Sequence, residues 1–242
     1  MKADLFVTCL IDMFFPEVGE SVVRVLRRAG VELDFPAGQT CCGQPLFNTG
    51  FRRAARPQAA RTLEVLEGRS RPVIVPSGSC AGMIRQGYLE LFHDDAEMLA
   101  RARRLAERTF EFSEFLVDVL GWEPVAGKGA GLVYHAGCHL QRGLGIDAAP
   151  RALLSRAGGE PVAALEAECC GFGGAFSAEH DDISSAMLAR RMEQIADAGA
   201  AHVVGSDVGC LMHIEGGLRR CGSPVRCLHL AQVLDGWGEG LA

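Results

Sequence analysis

Eight of the ten cysteines in this 242-residue chain fall into two matching sets. The first set is Cys9, then Cys41-Cys42-Gly43, then Cys80. The second is Cys138, then Cys169-Cys170-Gly171, then Cys210. Corresponding members lie 128 to 130 residues apart. Four gathered thiols have three chemical outcomes: a zinc site, an iron–sulfur cluster, or a redox dithiol. Neighbouring side chains tend to diverge, which suits the several irons of a cluster better than two corners of one tetrahedral zinc. Gly43 and Gly171 permit a tight turn beside a bulky ligand. A vicinal disulfide at Cys41-Cys42 or Cys169-Cys170 would close a strained ring, and isolated structural cysteines would not repeat at one spacing. A cluster is the leading reading, with zinc left open.

The segments around the cysteines repeat as well. Leu5-Phe6-Val7-Thr8 before Cys9 matches Leu132-Val133-Tyr134-His135 before Cys138, and the apolar run 72–75 before Cys80 matches 201–204 before Cys210. Phe112-Ser113-Glu114-Phe115-Leu116 echoes Leu230-Ala231-Gln232-Val233-Leu234. The chain is therefore a duplicated unit of about 120 residues. The spacing predicts a first domain over 1–124 and a second over 130–242, divided within the glycine- and proline-bearing stretch 121–129. Strands are expected at 3–8, 31–35, 72–75, 131–135, 161–165, 201–204 and 225–228. Amphipathic helices are expected at 18–29, 51–67, 96–108 and 178–197. Alternating strands and helices predict an α/β class, with a small parallel sheet flanked by helices in each domain. Every cysteine of the two sets then follows a strand, so each set converges on the carboxyl edge of its sheet.

Composition narrows the partners. Apolar residues form 48% of the chain and charged residues 22%, enough for an ordinary core. No apolar run approaches the ~18 residues that span a bilayer, and the opening Met1-Lys2-Ala3-Asp4-Leu5 lacks the order of a signal peptide. A cytoplasmic setting is expected, where thiols stay reduced. A net charge of −6 speaks against nucleic acid as the main partner. No Gly-x-Gly-x-x-Gly fingerprint or Walker-type loop is present, so this chain is expected to hold neither nucleotide nor flavin.

Other residues carry paired readings. His135, His139 and His213 bracket the second set, and each can ligate metal, hydrogen-bond to sulfur, relay protons, or simply pack against a glycine-rich loop. The first set has no such histidines beside its cysteines, which points to the second half as the redox-active one. Arg142 can meet a carboxylate or cap a helix. Arg52, Arg53 and Arg56 form either a docking patch or a solvated face. Cys221 and Cys227 fall outside the repeat and are read as free thiols. Phe172, Phe176, Met187 and Met192 are read as core or shielding residues.

The pattern Cys, about 31 residues, Cys-Cys-Gly, about 38 residues, Cys resembles the cysteine-rich CCG domain. That domain occurs in heterodisulfide reductase, in the glycolate oxidase iron–sulfur subunit and in the lactate utilisation protein A family. Cys41-Cys42-Gly43-Gln44-Pro45, Glu168-Cys169-Cys170-Gly171-Phe172-Gly173-Gly174 and Asp207-Val208-Gly209-Cys210-Leu211-Met212 resemble signature stretches of the last family. Two CCG units without a ferredoxin-type Cys-x-x-Cys-x-x-Cys run also fit it best. The resemblance implies an iron–sulfur electron-transfer subunit of a complex oxidising L-lactate to pyruvate. It implies companion subunits as partners, one carrying ferredoxin-type clusters. It also implies one cluster per domain, 4Fe–4S in type, on Cys9, Cys41, Cys42 and Cys80 and on Cys138, Cys169, Cys170 and Cys210. A zinc-stabilised assembly module, or action on glycolate or another 2-hydroxyacid, is the alternative. The heterodisulfide reductase motif ends in Cys-x-x-Cys; here Ser77 and Asp207 stand in place of the first cysteine of that pair. Four ligands per domain suit an ordinary four-iron cluster. Asp207 can supply an oxygen ligand, but the favoured reading is that it hydrogen-bonds nearby backbone amides at its turn.

Overall fold

The computed structural model describes residues 1–125, 131–158, 163–166 and 168–236. The first half builds β1 (Lys2–Leu5), β2 (Glu32–Asp34), β3 (Val73–Val75) and β4 (Thr109–Glu111) into a sheet of order β2-β1-β3-β4. The second half builds β5 (Leu132–Tyr134), β6 (Ala163–Ala164), β7 (His202–Gly205) and β8 (Arg226–His229) into the same arrangement, β6-β5-β7-β8. Every strand pair is parallel. The protein is thus mixed α/β, two small parallel sheets flanked by helices. Of the expected strand 161–165, residues 161 and 162 lie outside the described residues, as do 126–130 of the expected boundary and 237–242 of the second domain.

β4 is absent from the sequence reading, which extends a helix to 108. The helix stops at Ala106, and three residues, Thr109-Phe110-Glu111, pair with β3. A strand that short has no visible period. Its twin β8 does, and the Phe112 echo of Leu230 carries the correspondence back to Glu111 and His229. Both residues open a reciprocal capping box, Glu111 with Glu114 and His229 with Gln232. The expected helix 178–197 is two helices, Phe176–Glu179 and Asp181–Asp197. Helices Ala148–Gly158 and Val208–Arg220 were not expected.

Strand alternation sorts each sheet's side chains between two cores. In β3, Val73 and Val75 face helices of their own half while Ile74 faces a core shared by both halves. In β7, Val203 and Val204 divide the same way. The shared core joins Ala3, Leu5 and Ile74 to Tyr134, Leu153, Val204 and Leu230. Arg24 and Arg28 add ion pairs to Asp235 across the seam, at 2.6 and 2.8 Å. A shared core fixes the halves against each other, and with them the two cysteine sets.

Candidate metal centres

Sheet register gives the residue-by-residue equivalence of the halves. Phe6 donates its amide to Ile74 at 3.0 Å, and His135 donates its amide to Val204 at 2.8 Å. Ile74 and Val204 hold matching places in β3 and β7. Phe6 therefore corresponds to His135, as Cys9 does to Cys138, Ser77 to Asp207 and Cys80 to Cys210.

Each set of four thiols forms a connected group. In the first half, sulfur contacts run from Cys9 to Cys41, to Cys42 and to Cys80, the last at 3.2 Å. In the second they run from Cys138 to Cys169, to Cys170 and to Cys210. All ten cysteines are free thiols. Cys42 and Cys170 are buried, and Cys41 and Cys169 are partly open. The expectation that adjacent cysteines diverge is corrected here. The sulfurs of Cys41 and Cys42, and of Cys169 and Cys170, stay within contact of each other, and Gly43 and Gly171, with φ of 87° and 91°, turn the chain sharply just after each pair. Their amides then point at Cys41 Sγ (3.5 Å) and Cys169 Sγ (3.4 Å).

The electrostatics follow from this crowding. The neighbouring thiols Cys42 and Cys9 hold Cys41 down, to about 3, and Cys138 and Cys170 hold Cys169 down, to about 2. In return Cys41 and burial hold Cys9 up, and Cys169 and burial hold Cys138 up. Four thiolates cannot share so small a space without a cation to balance them. The donor set fits a metal ion or an iron–sulfur cluster: soft sulfur ligands, partly buried, with amides oriented towards them.

His135 is 1% exposed and neither ring nitrogen has a partner among the described residues. A ring nitrogen lies within 4.8 Å of Cys170 Sγ and Cys210 Sγ, which likewise approach each other. Burial pushes its pKa down to about 3, leaving a neutral imidazole. His139, in the wide helical turn His139–Gly143, reaches Cys138 Sγ from Nδ1 at 3.6 Å and Gln44 of the other half from Nε2 at 3.3 Å. His213 sits one layer back, 3.4 Å from the Ser184 hydroxyl and ring-to-ring with Phe172.

The two centres face each other across the seam. A Cβ on Gly174 would lie 3.6 Å from Pro45, so the two Cys-Cys-Gly loops touch. A Cβ on Gly209 would meet the Phe172 ring at 2.9 Å and Leu10, next to Cys9, at 3.5 Å. Asp207 does not cap its own helix. Its Oδ2 accepts from the Ser79 amide at 2.8 Å and its Oδ1 from the Ser79 hydroxyl at 3.1 Å, both across the seam. The expected local turn role is corrected accordingly. Ser77 does cap its own helix, accepting from the Cys80 amide, and also reaches Ser79 and Asp207. The two positions that carry cysteine in heterodisulfide reductase are hydrogen-bonded to each other's surroundings.

Two clamps escaped the sequence reading. The fully buried Arg191 donates to the Glu168 carbonyl at 2.5 Å and the Glu166 carbonyl at 3.1 Å, fixing the approach to Cys169. Tyr88 donates to the Cys42 carbonyl at 3.0 Å in the first half. No spacing rule announces either, because each acts from a distant helix. Arg142 is exposed. Arg52 pairs with Glu90 at 2.6 Å and Arg56 with Asp94, and Arg53 is exposed. Cys221 is exposed, and burial pushes Cys227 up to about 12. Phe172 and Met192 pack against the second half's core. No helix among the described residues is long and apolar enough to cross a membrane.

Thiol sets at matching sheet edges of two repeats define a tandem cysteine-rich protein, and the CCG cysteine-rich domain matches residues 3–85 and 132–215. Over 239 residues the chain is 44% identical to Lactate utilization protein A 2 of Bacillus cereus (strain Q1), covering 97% of this chain and 98% of that one. It is 43% identical over 238 residues to Lactate utilization protein A of Geobacillus kaustophilus, covering 97% and 99%. The chain belongs to the lactate utilisation protein A family, as its motifs led us to expect. A crystal structure of a hypothetical protein from Helicobacter pylori shares the fold, with a TM-score of 0.59 and 12% identity over 99% of this chain and 49% of that one.

Proposed function

We propose that this chain is an iron–sulfur electron-transfer subunit of a multi-protein complex that oxidises L-lactate to pyruvate in the cytoplasm. The observation that carries the reading is the pair of connected four-thiol sets facing each other across one seam. The names of the relatives direct the choice of lactate. Cys9, Cys41, Cys42 and Cys80 would hold one 4Fe–4S cluster, and Cys138, Cys169, Cys170 and Cys210 the other. Such clusters accept and release single electrons, which suits a relay between a companion subunit with ferredoxin-type clusters and the hydroxyacid-oxidising site.

The chain's own residues have distinct tasks in this scheme. The amides of Gly43 and Gly171 stabilise negative charge on Cys41 and Cys169. Tyr88 and Arg191 hold the two Cys-Cys-Gly loops in place. His139, touching Cys138 on one side and Gln44 on the other, links the two sets through hydrogen-bonding groups. The shared core keeps their separation constant as charge moves.

Anaerobic purification followed by iron and sulfide analysis tests the proposal, together with lactate-dependent dye reduction by the recovered complex. Two clusters per chain and lactate-driven reduction are expected. A chain that stays colourless and iron-free after anaerobic reconstitution would sink the cluster. The specific observation favouring a second reading is the convergence of adjacent thiols with His135, a Cys/His donor set that zinc also accepts. A zinc-stabilised assembly module predicts stoichiometric zinc and unfolding under chelation.

A further inference from the structure

We propose that His135 is a ligand of the second centre, making it a mixed imidazole–thiolate site where the first centre is held by thiolates alone. The inference rests on the reading of the thiol sets as metal or cluster sites, and it adds a donor outside the duplicated cysteines.

The duplication supplies an internal control. The same strand end carries Phe6 in the first half and His135 in the second, both 1% exposed and both anchored by one amide to the neighbouring strand. Phe6 packs within the apolar core of its half, beside Cys42 and Cys80. Packing alone is therefore satisfied by a phenyl ring at this place. His135 brings two polar nitrogens to the equivalent place and, among the described residues, pairs neither. Buried polar atoms in native proteins nearly always have partners, so this ring needs one. A ring nitrogen and the sulfurs of Cys170 and Cys210 mutually approach within 4.8 Å, leaving room for one bound atom to be reached by all three. Strand alternation turns the side chain away from the shared core and towards the Cys-Cys-Gly loop.

The test loads the full-length apo-protein anaerobically with Co(II), one per thiol set, and reads X-ray absorption at the cobalt edge, where imidazole scattering is distinct from sulfur. Wild type should show one imidazole per two cobalt ions. His135→Phe should lose it and Phe6→His should double it. Absence of imidazole in wild type, or its persistence in His135→Phe, overturns the proposal. Should His135→Phe fail to fold, His135→Gln is read in its place: loss of the imidazole supports ligation by His135, and its persistence overturns it. Iron and sulfide measured on a reconstituted portion of the wild-type protein judge the cluster reading separately. Imidazole-bound cobalt without iron–sulfide uptake would sink the cluster and leave the His135 assignment standing, whereas a loaded cluster with imidazole-free cobalt would do the reverse.

Discussion

Asp207 of the second half caps the helix turn of the first half through Ser79, with both carboxylate oxygens engaged at 2.8 and 3.1 Å. The contact sits where two repeats meet, and it ties the turn before Cys80 to the turn before Cys210. The oxygens of Ser77 and Asp207 are occupied with each other and with Ser79.

Asp207→Ala strands the Ser79 amide at the seam, which should cost about 1–3 kcal/mol of stability. Ser79→Ala keeps that amide bonded and should cost less, about 1 kcal/mol. Urea unfolding of the two single variants and the double should show coupling between them. Strictly additive effects would mean that the Ser79 hydroxyl does not contribute to the cross-seam contact, leaving the amide bond alone to carry it.

Arg191→Met keeps the length of the buried side chain but frees the Glu166 and Glu168 carbonyls. The second centre should lose metal while the first retains it, because the first loop is clamped by Tyr88 instead. Metal content per chain should fall by about half, as read by elemental analysis against a Cys170→Ser control. Equal loss from both sets would contradict an independent clamp in each half.

The two turn glycines should tolerate alanine unequally. Both need positive φ, a penalty of roughly 1–2 kcal/mol for an added side chain. At Gly171 the Cβ would also meet the Ser184 carbonyl oxygen at 2.7 Å, whereas at Gly43 the nearest atom is 3.4 Å away. Gly171→Ala should therefore lower the melting temperature further than Gly43→Ala. The reverse order would rule out the clash as its cause.

Burial lifts the Glu111 carboxyl from its ordinary 4.5 to about 7. Between those values the folded protein binds a proton that the unfolded chain has released, so Glu111 makes stability fall as pH rises through that window, by up to about 3 kcal/mol. His229 works in the opposite sense. Burial lowers it from 6.5 to about 4, so its share of stability is lost as pH falls through that range. Glu111→Gln retains a capping oxygen and should be more stable relative to wild type at pH 8 than at pH 4.5, measured by denaturant unfolding. An unchanged difference across that range would show that the carboxyl ionises freely.

How much was legible beforehand differs between the cysteines and their surroundings. The duplication, the α/β class and the membership of each thiol set depend on spacing along the chain, and spacing is preserved in linear sequence. Cys9 to Cys80 and Cys138 to Cys210 could be matched without coordinates for that reason. β4 was missed because three residues carry no period, although its twin β8 was visible. The two clamps, Tyr88 and Arg191, were missed because a hydrogen bond to a carbonyl leaves no residue pattern at the acceptor.

The repeat, the parallel sheets and the eight thiols at their carboxyl edges are written in the order of residues, since alternation and spacing are local properties of the chain. What the differences between the repeats do depends on how the two halves pack. Ser77 and Asp207 meet because a shared core packs one half against the other, and no local rule fixes that orientation. The Cys9–Cys138 offset already carries Phe6 onto His135, but only sheet register and burial place the two rings at the same strand end. Side-chain donors converge from distant segments, and their meeting is a property of packing rather than of order along the chain.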